Sequence, residues 1–262
     1  TGSQVQFNGF AEFTNFWTSN FTYTASNLGA THCVSCARGG PALRQSAQHR
    51  VALFFGGDAR RALQPSFGVS YSQADEGRSW AKAAELGLVA RAGARTSFEI
   101  GAGYEGRVLD AQWVQNFGSA FSDTTHYTFA RLDQDLVSLT ARANVTLSPT
   151  LSLQLYAQPF IAVGDFTDWR EIADPYARDY AARYTPYGGG ADPGGFNNKQ
   201  FNSNLVFRWE YRPGSVLFVV WQQGRADGRN PGDFDMGRDV RSLFATHPDN
   251  TVLVKLSYWF NP

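Results

Sequence analysis

The sequence predicts an all-β fold: an antiparallel, transmembrane up-and-down β-barrel with about eleven main strands, long extracellular loops and short periplasmic turns. Three observations predict it. Apolar and polar residues alternate with period two in segment after segment, the connections are long on one side and short on the other, and no segment sustains a helical period. The 262 residues read as one domain, 1–262.

Each strand follows from the alternation, because successive strand side chains point to opposite faces. Val5, Phe7, Ala11 and Phe13 make one face of the first. Trp17, Phe21 and Tyr23 mark the second, Val51, Leu53 and Phe55 the third, and Phe67, Val69 and Tyr71 the fourth. Ala84, Leu86, Leu88 and Ala90 make the fifth; Phe98, Ile100, Ala102 and Tyr104 make the sixth. In the seventh, Val137, Leu139, Ala141, Ala143, Val145 and Leu147 oppose Ser138, Thr140, Arg142, Asn144 and Thr146. In the eighth, Leu151, Leu153, Leu155 and Ala157 oppose Ser152, Gln154, Tyr156 and Gln158. The ninth sets Leu205, Phe207, Trp209 and Tyr211 against Asn204, Val206, Arg208, Glu210 and Arg212. The tenth, Ser215 to Arg225, is apolar on both faces near its start. The last sets Val252, Val254, Leu256, Tyr258 and Phe260 against Leu253, Lys255, Ser257 and Trp259.

Short turns fall near Thr14–Phe16, Asp58–Leu63, Ala92–Ala94, Ser148–Thr150 and Pro213-Gly214. Long connections are expected at Ala25–Gln48, Glu105–Leu132, Gly164–Lys199 and Ala226–Asn250, with a modest one near Ala74–Arg78. Loops longer than about 15 residues are uncommon in compact domains. Strands of about ten residues suit a tilted crossing of the bilayer.

Composition narrows the classes. Lys and Arg total 23 and so do Asp and Glu, so there is no basic excess for nucleic acid. Aromatics at 15% argue against disorder. The longest apolar run, Val216 to Trp221, is far short of the roughly 20 residues a membrane helix needs. A soluble sandwich would share the alternation. The barrel is favoured by aromatics at the ends of apolar faces, such as Trp17, Tyr71, Tyr104 and Trp209. Charges at mid-strand on the polar face (Glu85, Glu99, Arg142, Arg208, Lys255) favour it too, as does a final alternating strand ending in Tyr258 and Phe260.

Four segments carry a resemblance. They are Ala37-Arg-Gly-Gly-Pro-Ala-Leu-Arg44, Leu151-Ser-Leu-Gln-Leu-Tyr-Ala-Gln-Pro-Phe160, Arg208-Trp-Glu-Tyr-Arg-Pro-Gly-Ser215 with Val220-Trp-Gln-Gln-Gly-Arg225, and Leu253-Val-Lys-Leu-Ser-Tyr-Trp-Phe260. From Val5 to Phe260 the chain resembles the C-terminal outer-membrane barrel domain, of uncharacterised function, of large bacterial surface proteins that carry an N-terminal domain like the family-nine carbohydrate-binding modules. The resemblance implies a Gram-negative-type outer membrane, its lipid bilayer and the barrel-assembly machinery as partners, with Tyr258 and Phe260 as the assembly signal. It transfers no catalytic residues. The chain departs from the pattern in having Cys33-Val-Ser-Cys36 before the Arg-Gly-Gly-Pro motif and in lacking the carbohydrate-binding module. With the last strand finishing in the periplasm, the short turns are periplasmic and strand one starts outside. Bacterial single-chain barrels have an even strand number, so eleven strands are expected to be the C-terminal portion of a larger barrel.

The candidate site residues fall into three groups. Glu85, Glu99, Arg142, Arg208, Glu210, Arg212 and Lys255 are expected to face a lumen, either setting its selectivity or knitting a salt-bridge lattice. Cys33 and Cys36, beside His32, form a Cys-x-x-Cys that can be a redox pair, half a metal site or a local disulfide; a disulfide suits an oxidising cell surface. Asp165, Asp168, Trp169, Tyr176, Asp233 and Asp235 are candidate ligand contacts in the loops, where aromatic and acidic groups suit a glycan, a surface protein or Ca²⁺. Arg38 and Arg44 flank a Gly-Gly-Pro turn that either contacts anions or packs on the wall. No Gly-x-Ser-x-Gly elbow, phosphate loop or His-Glu-x-x-His occurs, so no enzyme is expected, and no resident cofactor. The expected function is a pore or transporter for small polar solutes or saccharides. The alternative is a surface anchor or assembly partner whose loops hold a protein or a glycan.

Overall fold

A computed structural model describes residues 3–118, 125–189 and 193–260. The chain lays down β1 (Ser3–Glu12), β2 (Thr18–Leu28), a small hairpin of β3 (Thr31–Cys33) and β4 (Leu43–Gln45), then β5 (Gln48–Gly56) and β6 (Leu63–Ala74). β7 (Ser79–Ala92), β8 (Thr96–Phe117), β9 (His126–Ser148), β10 (Leu151–Ile172) and the short β11 (Tyr184–Pro186) follow. β12 (Gly195–Arg212), β13 (Ser215–Asp227), a helix α1 (Met236–Ala245) and β14 (Asp249–Ser257) complete it. Eleven strands form one antiparallel meander, β1-β2-β5-β6-β7-β8-β9-β10-β12-β13-β14, and β11 adds a twelfth beside β10. The all-β antiparallel class and the eleven main strands agree with the sequence reading. The sheet is open: β1 and β14 are its two edges. Along an antiparallel path of eleven, those two edge strands run in the same direction.

The register turns the alternation into two continuous faces. Across one run Phe21, Leu53, Val69, Ala84, Tyr104, Val137 and Ile161, each opposite the next. Across the other run Gln6, Thr24, Arg50, Ser72, Ala81, Arg107 and Gln134. Phe7, Phe21, Leu86, Ile100, Val252 and Val254 of the apolar face stand exposed, and no second sheet packs over them. The buried apolar cluster of Ala37, Leu43 and Phe129 sits instead under the β3–β4 hairpin.

The short connections are Phe13–Trp17, Gly57–Ala62, Gly93–Arg95, Pro149-Thr150 and Pro213-Gly214, as expected. The last has a physical requirement: Gly214 sits at φ 79°, and a Cβ there would meet the Trp259 Cβ at 2.9 Å. Pro159 sits inside β10 without breaking it. The ladder to β9 lapses at Gln158 and Pro159, so no donor is missed there, while Pro159 still faces Phe201 on the other side.

Three expectations need correction. The Glu105–Leu132 connection is mostly strand, because β8 runs to Phe117 and β9 starts at His126. Register shifts between Leu109 and Gln112 and between Trp113 and Gln115 disrupt the period-two pattern there. β10 likewise continues to Ile172 through an irregularity at Asp168, whose φ is 55°. The last long connection holds α1, where no helix was expected. Asp235 caps it, accepting from the Arg238 amide at 2.9 Å, and Met236, Val240, Leu243 and Phe244 recur at helical spacing.

Candidate functional site: the polar face and the long-connection end

On the polar face, the antiparallel register brings opposite charges together. Glu99 and Arg142 are directly opposed and paired at 3.1 Å, and the Arg142 guanidinium lies 5.4 Å from the Tyr156 ring. Two residues apart on β12, Arg208 and Glu210 pair at 3.0 Å, and Glu210 also accepts the Gly214 amide at 3.2 Å. Arg107 donates to Gln134 at 2.7 Å and pairs with Glu105 at 3.5 Å. Glu85 differs. It faces Gly68 and Gly103 and shares a recess of about 160 Å³ with Arg50, Asn20, Thr22 and Ser70. Among the described residues neither Glu85 nor Lys255 makes an ion pair. Lys255 lies opposite Phe218, which in turn opposes Arg208. Arg212 sits at the turn end, donating to the Tyr258 hydroxyl at 3.1 Å. Tyr258 and Phe260 lie just beyond β14, exposed, with ring centroids 6.4 Å apart.

At the other end, β8, β9 and β10 extend 22, 23 and 22 residues and carry a cap made from two connections. The first is the β3–β4 hairpin. Cys33 and Cys36 are disulfide-bonded, with Sγ atoms 2.04 Å apart. Arg38 stacks its guanidinium 3.8 Å from the Trp113 ring, and Asn116 Nδ2 donates to the carbonyls of Ala37 and Arg38 at 3.2 and 3.0 Å. Gly40 lets Tyr127 approach so closely that a Cβ would meet its ring at 2.6 Å. This segment therefore packs on the wall. The second connection is 173–186. The buried Arg183 ties the two together, donating to the Arg44 carbonyl at 2.9 Å, the Ser46 hydroxyl at 3.1 Å and the Ala177 carbonyl at 3.0 Å.

Beneath this cap lies a cluster that the sequence did not disclose. The buried Asp110 carboxylate accepts Arg131 at 2.9 Å and Arg170 at 3.2 Å, and its amide donates to Ser79 Oγ at 2.9 Å. Tyr180 and Tyr184 sit beside it. Burial, reinforced by the Asp75 charge, raises both phenols above the ordinary tyrosine value, Tyr184 to about 12. The three charged residues lie far apart in the chain and two sit at register shifts, which hid them. Phe117, Trp169, Tyr187 and His126 form a second aromatic group, with centroids 5.1 to 5.9 Å apart between neighbours. Glu171 closes on His126, and the Trp169 indole N–H is buried with no acceptor among the described residues.

The remaining predicted loop residues do not converge. Asp165 opposes Gly195 within the β10–β12 ladder. Asp168 leans on Arg170 at 3.5 Å, and Tyr176 stands exposed 5.6 Å from the His32 ring. Asp233 pairs with Arg238 at 3.1 Å, while Asp235 is the α1 cap. Among the described residues no group of three or more His, Cys, Asp or Glu gathers as metal ligands would.

Sheet and faces define a class: an all-β protein built on one meandering antiparallel sheet, apolar on one side and polar on the other. Residues 1–261 match the family described as a domain of unknown function, DUF5916. The chain belongs to that family. No curated protein matches it.

Proposed function

We propose that this sheet is wall of an outer-membrane β-barrel, with its apolar face on lipid and its polar face on a watered lumen that passes small polar solutes or saccharides. One observation carries the reading. An apolar face spans eleven strands, and most of it stands uncovered while the opposite face is polar. Soluble monomers rarely expose contiguous apolar patches beyond a few hundred Å²; a bilayer is the solvent that suits such a face. The parallel sense of β1 and β14 adds a constraint. An all-antiparallel barrel closes only when an odd number of further strands lies between them. On this reading the cap is extracellular, the short turns are periplasmic, and Tyr258 and Phe260 present the end of β14 to the assembly machinery.

Planar-bilayer conductance of the full-length protein tests passage: steps of current are expected, and a silent, folded, inserted protein contradicts it. Glu85, unpaired beside Arg50, is the charge expected to act on permeating ions. Glu85→Lys is expected to shift the reversal potential toward anions, and an unchanged potential removes Glu85 from the path. The ordered cap, with its Phe117–Trp169–Tyr187–His126 group, supports a second reading, a surface module that holds a glycan or a protein. Pull-down from native membranes separates the two, since a lone pore comes out without a partner.

A further inference from the structure

A polar interruption of the apolar face lies where β12 and β13 approach α1. Lys199 and Asp227 are directly opposed there, in the row that continues from Val137 and Ile161. Their ion pair measures 3.0 Å, and their side chains are 0% and 3% exposed. The connection 228–248 buries them. Lys199 Nζ donates to the Arg229 carbonyl at 2.6 Å and to Asn197 Oδ1 at 2.7 Å, and Asn197 Nδ2 donates to Asp239 of α1 at 3.0 Å. Leu243 and Asp239 are the side of α1 turned to the protein, both fully buried. Next round the helix comes an exposed apolar stripe, Met236, Val240 and Phe244. Beyond it stands Arg241, exposed, whose guanidinium makes no ion pair among the described residues and reaches only its own helix at the Gly237 carbonyl. Phe234, Met236 and Val240 line a groove of about 500 Å³ whose other wall is the apolar sheet face at Leu86, Val137 and Ile161.

We infer that α1 is an interfacial helix. Its stripe and the groove take acyl chains of bilayer lipids on the long-connection side, while Arg241 meets their phosphate head groups. The inference rests on the membrane reading of the sheet. Three features argue for this occupant. The groove continues the apolar face assigned to lipid, at Leu86, Leu139 and Val137. The free cation sits on the polar flank of the helix, the arrangement of helices that lie in a membrane interface. The buried Lys199–Asp227 pair would stand uncovered in hydrocarbon if α1 left.

The test uses the full-length protein in phosphatidylcholine and phosphatidylglycerol vesicles. With the native cysteines bonded to each other, an introduced cysteine is the free thiol for a nitroxide label. Val240→Cys, Phe244→Cys and, as a mid-sheet reference, Leu155→Cys are labelled, and collision with oxygen is compared with collision with a water-soluble nickel chelate. All three positions are expected to favour oxygen several-fold. Oxygen preference at Leu155 with chelate preference at Val240 and Phe244 overturns the inference and leaves the membrane reading standing. Chelate preference at all three overturns both. Arg241→Glu should move the Phe244 label measurably toward the chelate in phosphatidylglycerol-rich vesicles, and equal values in both proteins remove the head-group role.

Discussion

Single residues at opposite ends of the sheet show how charge is handled. In the short Gly57–Ala62 turn, Asp58 receives Arg60 through both carboxylate oxygens, at 2.9 and 3.0 Å, and the Arg60 guanidinium lies over the Phe16 ring of the neighbouring turn. The Arg60 hydrogen bonds hold the Asp58 carboxyl down to about 2, from an ordinary 3.8. A lowered folded value means this contribution to stability is complete above the unfolded value and is lost as pH falls through the folded one. The turn should therefore hold near pH 4 and loosen toward pH 2. Carboxyl chemical shifts across that range check it, and Arg60→Ala should raise the Asp58 midpoint part of the way toward 3.8, since the residue-60 amide and Arg61 still face the carboxylate. The tyrosines of the cap carry the opposite sign. Tyr184 is raised to about 12, so its contribution is present below pH 10 and is lost as pH climbs through 12. Phenolate absorbance should place Tyr180 and Tyr184 among the last tyrosines to ionise. The buried pair tells most. Lys199→Ala leaves Asp227 in an almost dry site, and breaking a buried pair costs about 3–5 kcal/mol. Arg229, 2.6 Å from Asp227, should keep the loss at the lower end. Urea unfolding of the vesicle-inserted protein measures it.

Elements separate what a sequence discloses from what it hides. β9 keeps strict alternation from Val137 to Leu147 and β10 from Leu151 to Gln158, so each apolar set, such as Leu151, Leu153 and Leu155, can only belong to one face. The turns were equally open, since Pro213-Gly214 cannot continue a strand. The upper halves of β8 and β10 were hidden because their register shifts break the period that identifies a strand. α1 was hidden by brevity: ten residues hold only one stripe of Met236, Val240, Leu243 and Phe244, among acids and arginines that resemble loop. The Asp110–Arg131–Arg170 cluster and the Lys199–Asp227 pair depend on register between distant segments, which no local pattern carries. The disulfide closes a loop of only four residues, so its chain-entropy contribution is about 2 kcal/mol. It tightens a hairpin that the main sheet does not need. Replacing both cysteines by serine should leave the melting of the sheet nearly unchanged while proteases begin to cut within 29–47. A collapse of the whole fold would show instead that the cap holds the sheet.

At the scale of the molecule, register converts eleven alternating segments into a wall with two chemically distinct sides. The zero net charge conceals this division. Charges on the polar face are paired across strands, as Glu99 with Arg142, or left in a recess, as Glu85, while the apolar face buries the Lys199–Asp227 pair under α1. Open edges that run in the same direction make closure a question of strand parity.

The central claim is that the two faces meet different solvents, and one strand can test it. Leu155 and Gln154 are neighbours halfway along the first ten residues of β10, one on each face. Arginine on the lipid side of a barrel costs about 2–4 kcal/mol at the bilayer midplane and little on the lumen side. Measured as reversible folding into phosphatidylcholine vesicles, Leu155→Arg should lose that amount and Gln154→Arg less than about 1 kcal/mol. Equal losses at the two positions, or a larger loss at Gln154, would contradict the account.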